Sequence, residues 1–97
     1  MKYNLTEKLN FDADPVMVIK DVEITIKSDA ENVLKLMDIV QNKGEIEGAL
    51  EAFQIMLSEE DMEKLKGLKL KMKDYILVLE TAMDLAMGND PDEPAGE

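Results

Sequence analysis

The chain has 97 residues, 45 % of them hydrophobic, with 22 acids against 11 basic residues and a formal net charge of −11. One domain fits this length, with roughly two-thirds of the unfolded chain's surface buried in a single core. Every basic residue is lysine, so bidentate arginine contacts to phosphate are missing and a positive nucleic-acid footprint is not expected, and the −11 net charge argues against anionic membrane surfaces. No apolar run approaches the ~20 residues of a membrane span, and no basic-then-apolar leader opens the chain. With no cysteine there are no disulfides and no thiolate metal sites.

Residues 1–11 have mixed polarity and weak period and read as an arm. From Pro15 the chain turns β-rich: Val16, Met17, Val18 and Ile19 form one run, and Val22, Ile24 and Ile26 alternate with Glu23 and Thr25. With Lys20-Asp21 as the turn, this predicts a β-hairpin over about 15–27 with one wet face. Ser28-Asp29-Ala30-Glu31 has capping-box spacing and predicts a helix over about 29–43. Its inward face is expected to carry Ala30, Val33, Leu34, Met37 and Val40, with Gly44 as a left-handed stop. A second helix over about 45–57 places Ile46, Ala49, Leu50, Phe53 and Met56 on one face, and Gly48 either weakens it or allows close approach. Ser58 caps a third, over about 59–66, with acids in its first turn and Gly67 as its breaker.

The last helix, over about 72–87, carries a stripe of Met72, Tyr75, Ile76, Leu79, Ala82, Met83, Ala86 and Met87, widened by Val78 and Leu85. This is broader than the ~100° that a surface helix needs. Gly88 caps it, and residues 89–97 are expected to form a disordered acidic tail. The fold class predicted is thus α+β, mainly α: a hairpin followed by about four helices packed as a small bundle over residues 1–88.

The chemical inventory is sparse. There is no histidine base and no cysteine nucleophile, and both serines read as helix caps. Asp12 and Asp14 resemble the start of a calcium loop, but Pro15 and Val16 stand where it would continue. Glu59, Glu60, Asp61 and Glu63 read as a solvated, dipole-favoured first turn. The scattered glycines form no phosphate loop. Neither catalysis, nor a metal, nor a cofactor is expected.

Two patterns point to protein binding instead. Residues 45–63 hold seven acids and no lysine, while residues 64–73 hold Lys64, Lys66, Lys69, Lys71 and Lys73 and no acid. This fits lysines favoured at a helix end followed by a solvated loop. It also fits complementary surfaces, with Glu59, Glu60 and Glu63 of one copy meeting those lysines of the next. Methionine, an adaptable residue over-used on binding surfaces, occurs eight times. Met37 and Met56 are assigned to the core. For Met72, Met83 and Met87, core filling and a partner groove stand nearly level.

The segment Met56-Leu57-Ser58-Glu59-Glu60-Asp61-Met62-Glu63-Lys64-Leu65-Lys66-Gly67-Leu68-Lys69-Leu70, with the helix after it, resembles the tail assembly chaperones of siphophages and related prophages. Tyr3-Asn4-Leu5-Thr6-Glu7-Lys8-Leu9, Asp14-Pro15-Val16 and Asp29-Ala30-Glu31-Asn32-Val33-Leu34 look like the Firmicutes-type members. The resemblance implies a protein of the bacterial host cytoplasm, absent from the finished virion and without enzymatic activity or cofactor. It would bind the tape measure protein, keep it soluble, and help recruit tail tube protein through a longer frameshifted form. This chain would be the short form. Some members self-assemble, which implies a homo-oligomer. The client stripe would be Met72, Tyr75, Ile76, Leu79, Met83 and Met87. Two other classes fit the sequence: an acidic nucleic-acid mimic that blocks a DNA-binding protein, and a helical dimerisation module.

Overall fold

A computed structural model describes residues 1–90. Strands β1 (Val16–Ile19) and β2 (Val22–Thr25) pair antiparallel, and helices α1 (Ala30–Asn42), α2 (Glu45–Met56), α3 (Glu59–Gly67) and α4 (Met72–Ala86) follow. The mainly helical α+β class and the order of its parts are those expected from the sequence. The predicted tail falls largely on residues 91–97, outside the described residues. The arm is irregular apart from a 3₁₀ turn at Thr6–Lys8.

The hairpin closes through Lys20-Asp21, with Ile19 opposite Val22 and Met17 opposite Ile24. Lys20 takes φ 57° at the first turn position, a left-handed conformation that glycine would adopt without strain. Met17 and Ile24 face the core while Val18 and Glu23 face water, so the pleat's alternation sets the buried side.

Helix ends depart from expectation at three places. Ser28 does not cap α1. Its N–H and hydroxyl both donate to Asp14 Oδ1, at 3.3 and 2.8 Å, and the N-cap is Asp29. Gly44 is not a left-handed stop; at φ −69°, ψ 164° it is the N-cap of α2. Gly67 does not break α3 but lies within it, and the left-handed turn falls on Lys69 at φ 52°. Two predictions hold. Ser58 Oγ accepts the Asp61 N–H at 3.1 Å. Gly88, at φ 81°, ends α4 in a Schellman arrangement, its N–H bonded to Leu85 and that of Asn89 to Asp84.

The core joins the hairpin (Met17, Ile24), Ile26 beyond it, Leu36 of α1, Phe53 and Met56 of α2, Leu65 of α3, and Ala82 and Ala86 of α4. The α1 face is corrected: Leu36 and Ile39 are buried, while Leu34, Met37 and Val40 are exposed. The run 33–40 is apolar almost all round, so period alone leaves two candidate stripes. Gly48 decides between them. A Cβ there would sit 3.3 Å from Ile39 Cγ2, so α2 approaches α1 closely on the Ile39 side. On α2, Phe53 and Met56 are buried as expected, but Ile46 and Leu50 are exposed.

Candidate protein-binding surface

α4 sorts its broad stripe into two sides. Ala82 and Ala86 are buried, and Tyr75 turns its ring edge-on to Phe53, with centroids 5.0 Å apart at 61°. That burial raises the Tyr75 phenol above its ordinary value near 10. Leu79 and Met83 are half-buried against the core, whereas Met72, Ile76 and Met87 are exposed, Met72 by 65 %. At 100° per residue, Met72, Ile76, Met83 and Met87 fall within about 60° of arc beside the core-facing side. The six stripe residues therefore divide into a core contact, Tyr75, and an edge running from Met72 to Met87 that is wet at both ends. Leu77, which sequence reasoning left out, is also exposed, on the far side of the helix.

The charged residues separate as clearly. Glu59 and Glu60 are exposed in the first turn of α3. Glu63 meets Lys66 at 3.8 Å across one turn, with both side chains in water. Lys64 acts within the chain, 3.3 Å from Asp61 Oδ1, and it donates to the Glu23 carbonyl, also at 3.3 Å. Lys69 makes the left-handed turn of the α3–α4 link, Lys71 is the N-cap position of α4, and Lys73 is exposed in its first turn. All five lysines are exposed, and Lys64 differs in that its ammonium is tied to Asp61 and to the Glu23 carbonyl.

In the sequence Asp61 reads as a solvated acid; the structure buries it. It is 8 % exposed, the buried charged residue of the described core, and its Oδ2 accepts the Thr25 N–H at 3.0 Å. Together Asp61 and Lys64 clamp α3 onto the outer edge of β2. The signal was present in part, because Asp61 stands three residues after the Ser58 cap. The capping box has that third residue reach back to its own helix start, whereas here it reaches the hairpin.

Among the described residues no group of three or more histidine, cysteine, aspartate or glutamate side chains is placed to hold a metal ion. No described helix is long and apolar enough to cross a membrane. The surface hollows are open; that between α2 and α3, about 540 Å³, is lined by Gln54, Leu57, Glu59, Met62, Glu63 and Lys66. What this surface offers chemically is apolar contact beside acidic solvation. No family model, curated protein or solved structure matches the chain.

Proposed function

We propose that the chain is a phage tail assembly chaperone, acting in the bacterial host cytoplasm, that holds an apolar helical client, the tape measure protein, against the methionine-bearing edge of α4. The supporting observation is the exposure of Met72, Ile76 and Met87 along one edge, backed by half-buried Leu79 and Met83, on a protein of net charge −11. Unbranched methionine side chains re-pack around varied partners, and a strongly charged carrier supplies the solubility that an apolar client lacks. Recruitment of tail tube protein, through a longer frameshifted form, belongs to the same proposal, as does absence from the mature virion. Neither enzymatic activity nor a cofactor has a place in it. Self-assembly through Glu59, Glu60 and Glu63 against Lys66, Lys69, Lys71 and Lys73 is a further part of it, with Lys64 now given an intramolecular role.

A nucleic-acid mimic would need acids spread over a continuous face and has no use for an exposed apolar edge, so the Met72–Met87 edge favours the chaperone over it. Co-expression with the candidate tape measure protein tests the proposal. The expected result is more soluble client and a recovered complex, both lost with Met72→Ser/Ile76→Ser/Met87→Ser. A client no more soluble with the chain than without it overturns the reading.

A further inference from the structure

The hairpin has an outer edge on each strand, and among the described residues only that of β2 is covered. In the β1–β2 register Val16 lies opposite Thr25 and Val18 opposite Glu23, while the Ile26 N–H donates to the Pro15 carbonyl at 2.9 Å. Antiparallel pairs alternate between bonded and unbonded. Val16, Val18, Glu23 and Thr25 therefore aim their N–H and C=O groups outward from the ladder. On the β2 side α3 takes these groups up: Asp61 Oδ2 accepts the Thr25 N–H, and Lys64 Nζ donates to the Glu23 carbonyl. On the β1 side no described residue bonds the N–H or C=O of Val16 or Val18. Their side chains stand on the water-facing side of the pleat, 47 % and 64 % exposed. An open strand edge of this kind is a template for a further strand.

We propose that β1 of one copy pairs antiparallel with β1 of a second copy, about a two-fold axis at Met17. This register sets Val16 of each copy against Val18 of the other. Each such pair exchanges N–H···O=C bonds in both directions and brings the valine side chains together on the water-facing side. The neighbouring registers would instead set an edge valine against Lys20 in the turn or against Asp14 ahead of the strand. With Met17 on the axis, Asp14 of each copy aligns with Lys20 of the other, carboxylate toward ammonium at both ends of the contact. Both residues are exposed, and the Ser28 hydroxyl steadies Asp14 by donating to Oδ1 at 2.8 Å. Between those ends the strand Val16–Ile19 is uncharged, so the pairing sets no acid of β1 against another. Closure favours a second copy over a foreign strand. Two copies joined in this way consume both open edges, and α3 already covers the β2 edge of each, so the continuous sheet ends in covered edges. An added foreign strand leaves its own outer edge open. The pairing uses neither the α4 edge nor the charged surface of α3, and it does not rest on the chaperone reading.

Light scattering coupled to size exclusion, together with amide hydrogen exchange read by NMR, tests it on the full chain at physiological salt, which screens the repulsion between acidic copies. The contact is small, so dimer mass is expected to appear as concentration rises and to be lost on dilution. As the dimer forms, exchange at the Val16 and Val18 amides is expected to slow by about tenfold or more, while Met17 and Ile19, already bonded to β2, change less. Val18→Pro removes an outward donor without touching the β2 ladder. It is expected to give monomer mass with unchanged thermal unfolding by circular dichroism. Val16→Lys/Val18→Lys, which sets like charges opposite each other across the axis, serves in its place if the proline variant loses its fold. A wild-type monomer at every concentration overturns the proposal. So does a dimer that survives these substitutions, or one whose Val16 and Val18 amides exchange as in the monomer, the result that contact through α3 and the lysines would give. Slowed exchange that appears only when the candidate tape measure protein is added, with no dimer in its absence, assigns the edge to that client and overturns the proposal as well.

Discussion

Asp61 shows how much one side chain can organise. Its two oxygens serve the Thr25 N–H and the Lys64 ammonium, while its own N–H is held by Ser58. Asp61→Ala strands a backbone donor on the β2 edge and is expected to lower stability by about 1–3 kcal/mol, read as a shift of the urea midpoint. Asp61→Asn, which keeps an acceptor, is expected to lose less. Lys20 is the opposite case, a residue in a conformation that its Cβ disfavours. Lys20→Gly is expected to raise stability by up to about 1 kcal/mol, and an unchanged urea midpoint would argue against strain at that turn. Tyr75 sets an alkaline limit. Burial raises its phenol in the folded state above the usual value near 10, so the unfolded chain loses that proton first. Stability is therefore present below pH ~10 and declines as pH rises toward the folded value. The hydrogen bond and charge of Glu51, with the charge of Glu47, raise the Lys43 ammonium, and the dependence on pH has the same sign. In a Tyr3→Phe variant, tyrosinate absorbance is expected to appear later than in the unfolded chain, with the melting temperature falling over that interval.

At the scale of elements, the α1–α2 crossing depends on a missing side chain. Gly48 lets Ile39 approach to where a Cβ would stand 3.3 Å away. Gly48→Leu is expected to cost about 1–3 kcal/mol by overpacking, whereas Gly48→Ala gains helix propensity and loses it again to crowding. Phe53, fully buried against Tyr75, is expected to cost about 3–5 kcal/mol on truncation to alanine, measured by chemical denaturation. The order and type of elements were legible in the sequence because alternation over residues 16–26 and the Ser58 and Gly88 signals are local. The faces were not. In α1 both Val33–Leu36–Ile39 and Leu34–Met37–Val40 satisfy helical spacing, and only the glycine on the facing helix chooses between them. Lys69 making the left-handed turn in place of Gly67 is equally non-local, since α3 continues one turn's fraction further to seat Leu68 and Leu70 against the core. The α4 edge was half legible: its breadth signalled two roles, and the neighbours on α2 decided that Tyr75 belongs to the core.

For the molecule as a whole, charge and packing pull against each other. With 22 acids and 11 lysines in 97 residues, the folded state gathers repulsion that the expanded chain relieves. Raising salt from low to physiological strength is expected to raise the melting temperature in calorimetry, by screening, and a flat response would show that repulsion does not limit stability. The same arithmetic makes the five lysines of residues 64–73 conspicuous, since they gather nearly half of the positive charge at one junction, that of α3 and α4. The carboxylate clamp between α3 and β2 has a kinetic consequence as well. The Thr25 amide points away from its partner strand in a sheet that has two strands among the described residues, a place where hydrogen exchange ordinarily runs fast. Held by Asp61, it can exchange only when α3 lifts from the hairpin, so its rate reports the opening of those two elements as one cooperative unit.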